Sequence, residues 1–261
     1  RSWSRDRYYY HKIDPVYSTQ KPWVAEGERW DWVAIYDYQR DPAGNIVHGS
    51  DGFPLVNKFT TLKGYSEPDW IWGLSTSVNW KGITLSITID GRVGGVGYSM
   101  TDQAMWNSGA HIDSDNQYRY EEVVNNNKTF TGQGVKVVSG KAEWDANGNV
   151  IMDNRVFAPN DKVVSYQDYM MNTNPYASGD NKRAQNWFDK TFIKLRDLSI
   201  SYEIPQSVCQ KIGMKGASVG FVGQNLLMWA KEFRFSDPDK VQNALSSPSI
   251  RYMGFNVKFD F

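Results

Sequence analysis

Between Trp70 and Trp80 the chain alternates with period two. Trp70, Trp72, Leu74, Thr76, Val78 and Trp80 hold the even positions, and Ile71, Gly73, Ser75, Ser77 and Asn79 the odd ones. Successive side chains of a strand point to opposite faces, so this segment reads as a strand with one apolar face and one small or polar face. Lys81-Gly82 fits a two-residue hairpin turn, because Gly takes positive φ without strain. The phase then resumes, with Ile83, Leu85, Ile87 and Ile89 against Thr84, Ser86, Thr88 and Asp90.

The end of the chain repeats the pattern. Met253, Phe255, Val257, Phe259 and Phe261 alternate with Tyr252, Gly254, Asn256, Lys258 and Asp260. Upstream, Leu198, Ile200, Tyr202 and Ile204 alternate with Ser199, Ser201 and Glu203, and Pro205 stops the strand. Ala217 to Met228 is a fifth, less regular strand with Val219 and Phe221 in phase. Proline cannot donate to a ladder, and Pro68, Pro205 and Pro248 sit only at the edges of these segments. In residues 1–69, Trp30, Trp32, Tyr36 and Tyr38 suggest an aromatic strand with Val33 and Ile35 on the opposite phase. Asp41-Pro42-Ala43-Gly44-Asn45 reads as a turn, and one or two strands are expected there.

The connections differ in length. Lys81-Gly82 and the link 206–216, which has room for a helical turn, are short. Residues 99–191 and 229–249 are long, and the first is rich in Asn, Gly and Asp (Asn125-Asn126-Asn127, Asp145-Ala146-Asn147-Gly148-Asn149), so it reads as loop with small local elements. A compact domain seldom carries so long a loop. An outer-membrane barrel does, with short turns at one rim, long loops at the other and apolar-out, polar-in strands. At ~3.4 Å per residue and ~45° tilt, Trp70 and Trp80 lie roughly 24 Å apart along the membrane normal, against an apolar band ~25 Å tall with aromatic girdles. A soluble β-sandwich with one face buried shares the alternation. The loop lengths and the terminal Phe favour the barrel.

Composition narrows this further. The 261 residues carry 29 basic and 29 acidic side chains, so a nucleic-acid binder acting through bulk positive charge is not expected. No stretch of about eighteen apolar residues crosses a membrane as a helix. The single Cys209 allows neither an internal disulfide nor a Cys-rich metal site. Aromatic residues make up 15% of the chain, and rings with a polar tip gather where one end is apolar and the other wet. Arg1 is not an initiator Met and no signal peptide opens the chain, so a removed leader or a longer parent chain is expected.

Three segments carry a resemblance. Phe192-Ile193-Lys194-Leu195-Arg196-Asp197-Leu198-Ser199-Ile200-Ser201-Tyr202-Glu203-Ile204-Pro205 resembles the late-barrel motif of the SusC/RagA family of TonB-dependent outer-membrane transporters. Val222-Gly223-Gln224-Asn225-Leu226, with Asp237-Pro238 and the strand ending at Phe261 after it, is similar to the next part of the barrel in that family. Tyr65-Ser66-Glu67-Pro68-Asp69-Trp70-Ile71-Trp72-Gly73 is similar to the family's glycine-proline-aromatic strand start, with Glu67 where Asn is common. Order and spacing fit over about residues 20–261.

The resemblance implies an all-β fold: the C-terminal strands of a large antiparallel transmembrane β-barrel with long extracellular loops, in the bacterial outer membrane. Residues 1–69 would be an upstream strand and extracellular loop, 70–98 a hairpin, 99–191 a long extracellular loop and 192–261 the last three strands. It implies import of glycan or peptide fragments, energised through TonB, with a SusD-like surface lipoprotein as partner and neither a cofactor nor enzyme chemistry. Five to seven strands cannot close a barrel, and unpaired backbone in lipid is forbidden. The chain is therefore expected to continue upstream into the remaining barrel and a plug, which would cover the sheet edges. On this reading Trp70, Trp72, Trp80, Ile83, Leu85, Ile87, Leu198, Ile200, Tyr202, Phe255, Val257, Phe259 and Phe261 face the lipid bilayer.

Candidate chemistry is sparse. His11, His48 and His111 have no second ligand at metal spacing and read as solvated loop residues. Asp113-Ser114-Asp115-Asn116-Gln117 begins like a calcium loop but has Tyr118 at position six and Val124 at position twelve. Gly91, Gly94, Gly95 and Gly97 lack a phosphate-cradling context and read as close-packing positions. Glu121, Glu122, Asp145 and Asp153 leave a glycosidase pair open without placing one. Cys209, in a short turn, reads as a small residue with no activating neighbour. Trp106, Trp144 and Trp187, in the long loop, stack on sugar, touch a partner, or pack within the loop itself. A secreted glycan-binding β-sandwich and a glycoside hydrolase are the alternatives to a transporter segment.

Overall fold

The five alternating segments form one antiparallel sheet: β1 (Trp70–Trp80), β2 (Ile83–Val93), β3 (Phe192–Glu203), β4 (Gly216–Ala230) and β5 (Tyr252–Asp260), in the spatial order β5-β4-β3-β2-β1. The computed structural model describes residues 8–9, 23–24, 29, 31–57, 61–144, 150–174, 184–240 and 249–261. His11, Trp30, the cluster 145–149 and Pro248 lie outside them. Among the described residues no helix is long and apolar enough to cross a membrane.

Local chemistry sets the hairpins. Lys81 and Gly82 both have positive φ (50° and 82°), the mirror-image turn that matches strand twist. The β3–β4 link contains a short helix at Gln206–Cys209, started by Pro205, where the sequence has room for one turn. Cys209 is buried there, its thiol 3.6 Å from the Ile204 carbonyl. β4 is longer than expected, extending to Gly216 and Ala230. Registers place the Lys81-Gly82 turn and the β3–β4 link at one end of the sheet, and the connections 94–191 and 231–251 leave from the other.

By contact the chain divides into two units: one from Arg1–Ser66, Tyr98–Phe188 and Gln242–Ala244, the other from Glu67–Gly97, Asp189–Val241 and Leu245–Phe261. The second is the sheet. The first holds the segment read as loop, and it has a core of its own: Val33, Ile35, Tyr38, Val47, Val164, Tyr166 and Tyr169 are buried. Val135–Ser139 pairs antiparallel with Val156–Pro159 and parallel with Val47–His48. The unit also holds three helices, with α1 (Met100–Ser108) and α2 (Gln117–Val124) both against α3 (Tyr166–Thr173). Their starts are legible as Ser99, Asn116 and Ser165, each accepting a first-turn N–H. Phe130 sits edge-on to Tyr118, Tyr166 and Tyr169 at centroid distances of 5.2, 5.2 and 4.9 Å.

One reading is corrected here. The described part of residues 1–69 holds not one or two strands but five short ones: Tyr8–Tyr9, Trp23–Val24, Trp32–Ile35, Val47–His48 and Thr61–Tyr65. In the third of these, Val33 and Ile35 are buried, and Tyr38 after it is buried as well. The expected turn at 41–45 forms, with the Asp41 carboxylate accepting the Asn45 N–H at 2.7 Å.

Candidate functional site

The sheet has two unlike faces, and the registers define them. Val78, Leu85, Ile200, Phe221 and Phe255 stand side by side across all five strands, and the next row is Trp80, Ile83, Tyr202, Val219 and Val257. This face is exposed. Phe255 is 86% accessible, and Trp70, Trp72, Trp80, Ile83, Ile200, Tyr202, Val257, Phe259 and Phe261 are exposed with it. Leu85, Ile87 and Leu198 are half-buried by their neighbours. Monomeric soluble proteins rarely expose so large a contiguous apolar surface.

The opposite face carries hydroxyls and amides. Asn79, Thr84, Ser201, Gly220 and Asn256 form one row, and Ser77, Ser86, Ser199, Val222 and Gly254 the next. Ser75–Thr88, Ser77–Ser86 and Asn79–Thr84 are hydrogen-bonded at 3.1, 2.9 and 2.7 Å. Cross-strand pairs of this kind satisfy one another without apolar cover.

A bulge between Leu195 and Asp197 keeps the faces separate. Strict alternation from Leu198 would put Arg196 among the apolar rows. The extra residue instead returns Leu195 and Ile193 to that side, and Arg196 meets Asp90 through Nε and Nη2 at 2.6 and 2.8 Å. In β4, Leu227 and Trp229 stay in phase with Val219 and Phe221 and stand opposite Leu195 and Ile193. Trp229 is exposed and shares a row with Trp72. Period-two reading misses Ile193 and Leu195 because the bulge is invisible to it; Arg-Asp interrupting the alternation is the available signal.

At the long-connection end, charges cluster on the polar side. Lys194 is buried, donating to Asp237 at 2.5 Å and Asp239 at 2.6 Å, and Arg196 also reaches Asp239 at 2.5 Å. The Phe192 ring is fully buried beneath Arg92, Lys194 and Arg196 at 5.6, 4.8 and 6.0 Å. Burial alone would raise the Asp237 and Asp239 carboxyls. Hydrogen bonds from Lys194 to both, from Ser249 to Asp237 and from Arg196 to Asp239 hold them below the usual carboxylate range. The two resemblance segments around Lys194 and Asp237 thus meet in space.

The loop unit contains a pocket of about 190 Å³ between α1, α2 and α3, lined by Trp106, Asn107, Arg119, Glu122, Gln167 and Met170 among others. Arg119 Nη1 bonds the Gly109 carbonyl at 2.7 Å and Ser114 Oγ at 2.9 Å. Glu122 accepts from Ser165 Oγ and the Tyr166 N–H, both at 2.5 Å, so its carboxylate caps α3. Trp106 is stacked on His111 at 4.1 Å and 12°.

Of the three loop tryptophans, only Trp106 lines this pocket. Trp187 is 8% exposed and packed against Tyr98 at 5.5 Å, the arrangement of the alternative in which the ring packs within the loop itself. Trp144 is half-buried beside the Arg155 guanidinium. The reading of the histidines is corrected. His48 is 1% exposed, with Nε2 3.0 Å from the Tyr169 hydroxyl, and His111 is buried 3.6 Å from Asp102. Neither is a solvated loop residue, because Tyr169, far along the chain, encloses His48 and Trp106 covers His111. The acidic candidates do not converge: Asp153 pairs with Arg155, Glu122 caps a helix, and Glu121 bonds Gln117 and Asn125.

No family model and no curated protein matches the chain. Solved structures that resemble it include the RagAB peptide importer in its open-open state (16% identity, TM-score 0.45, 88% of this chain and 22% of that one). The same importer in its closed-closed state gives 16% identity and a TM-score of 0.41, over 84% and 20% of the two chains. A further structure, of the RagAB peptide transporter, gives 17% and 0.40, over 80% and 20%. The chain spans about a fifth of the length of those chains.

Proposed function

We propose that this chain is barrel wall and outer loops of an outer-membrane nutrient importer of the SusC/RagA kind. In this reading the exposed apolar rows meet lipid and the hydroxyl rows line the lumen. The single observation that carries it is the sheet itself: both faces accessible, one apolar and one polar, with the outer edges of β1 and β5 unpaired among the described residues. Water-exposed Phe255 and Val257 would be costly in a soluble protein, whereas a bilayer makes the same rows favourable. Lys81 lies 4.8 Å over the Trp80 ring, an arrangement suited to the headgroup level. The rest of the barrel and a plug, outside this sequence, would pair the edges. Glycan or peptide cargo, drive through TonB and a SusD-like lipoprotein over the loops complete the proposal. No catalytic step is assigned to any residue.

The test places one charge on each face of β5 in the full-length protein. Val257→Arg puts a charge on the face read as lipid-facing and should block outer-membrane assembly, read by fractionation and heat-modifiable gel mobility. Asn256→Arg, on the polar face, should assemble. Equal damage from both would sink the barrel in favour of a sheet packed against a second layer.

A further inference from the structure

The pocket between α1, α2 and α3 offers an aromatic wall and open hydrogen-bond donors in surroundings of balanced charge. Arg119 is the cation lining it and Glu122 the carboxylate, and both of the latter's oxygens are engaged by Ser165 and the Tyr166 N–H. Arg119 uses only Nη1 within the protein, leaving Nε and Nη2 without a hydrogen bond among the described residues. Its Nη1 bond to the Gly109 carbonyl sets that charge against the negative end of α1. A free anion therefore gains little here, and a free cation less.

Trp106 is fixed by its stack on His111, so the ring lines the pocket as a rigid plate. Asn107, whose Nδ2 donates to the Asn174 carbonyl, and Gln167, whose Nε2 reaches the Met171 sulfur at 3.8 Å, add amide oxygens, and Met170 and Met171 an adaptable apolar side. The volume of about 190 Å³ holds roughly six waters at ~30 Å³ each, the bulk of one six-membered sugar ring and well below a drug-sized site. A neutral ring with one C–H face and a rim of hydroxyls matches each of these features.

We infer that this pocket binds a single neutral pyranose, its C–H face on Trp106 and its hydroxyls on Arg119, Asn107 and Gln167. The assignment rests on the pocket's own geometry and names a substrate-class contact within the importer reading.

Saturation-transfer NMR on the full-length protein in detergent tests it, with methyl glucoside, methyl galactoside and N-acetylglucosamine as probes and N-acetyl-leucine as the charged comparison. Saturation transfer to the ring C–H protons of at least one sugar is expected, weakened tenfold or more in Trp106→Leu and retained in Trp106→Phe. Gln167→Ala, at an exposed position that cannot unfold the unit, should weaken binding severalfold. Absence of transfer to every sugar overturns the inference, as does transfer unchanged in Trp106→Leu and Gln167→Ala, or preference for N-acetyl-leucine. These outcomes are independent of membrane assembly: a barrel that ignores sugars fails this inference alone, and a soluble protein that binds them fails the importer reading alone.

Discussion

Gly91 shows how one missing side chain fixes a surface. A Cβ there would lie 2.7 Å from the Trp72 indole and 2.8 Å from the Phe192 carbonyl oxygen. The glycine lets Trp72 lie flat across β2, on the apolar side and near the aromatic end of the sheet. Gly91→Ala should push that ring off the sheet and lower stability by about 1–3 kcal/mol, measured by urea unfolding of the full-length protein. Sequence reading marks Gly91 as a close-packing position, yet Trp72 as its neighbour emerges only from the β1–β2 register. The same holds for Trp106: its type suggests a ring for stacking, and its position over His111 needed the fold.

Among the elements, the connection 231–251 depends on Lys194. The ammonium is buried between two carboxylates that have left bulk water, so Lys194→Met leaves Asp237 without its cation, while Asp239 keeps Arg196. Breaking such a buried pair costs about 3–5 kcal/mol, and hydrogen exchange of the β4 and β5 amides should report the loss. Adding Asp237→Asn to that variant should recover much of it, because a neutral amide tolerates the site. Both carboxyls titrate below their unfolded value near 3.8. Their contribution is thus complete at neutral pH and declines as pH falls below about 4, where the unfolded chain takes up protons first. The strands β1, β2 and β5 are legible from period two alone. The bulge in β3 is not, since its cause is the Arg196–Asp90 pair across 106 residues of sequence.

Over the whole chain, the loop unit and the sheet answer pH differently. Burial lowers the His48 pKa and pushes the Tyr169 phenol up to about 12, so both groups are neutral in the folded loop unit. A histidine with a depressed folded pKa loses protons on folding, so stability drops as pH falls below about 6.5. A phenol with a raised pKa holds its proton on folding, so stability drops as pH rises above about 10. Hydrogen exchange of Val135–Ser139 should therefore be slowest between those limits, and His48→Gln should flatten the acid side. The hydroxyl rows of the sheet, being uncharged in this range, should exchange independently of pH once intrinsic rates are removed.

What the sequence alone determined is the part written in nearest neighbours. Alternation, turn glycines and edge prolines place the five long strands, the Lys81-Gly82 turn and the two-faced character of the sheet. Strand geometry makes those consequences local, so no other segment is needed to derive them. The tertiary structure decided what depends on distant partners: that a segment rich in Asn and Gly encloses a core, that His48 and Trp187 lie inside it, and that a bulge sorts Arg196 from Leu195. It also decided that α1, α2 and α3 leave a pocket beside Trp106. Burial, pairing and cavities are properties of surfaces brought together across the chain, and a one-dimensional pattern does not carry them.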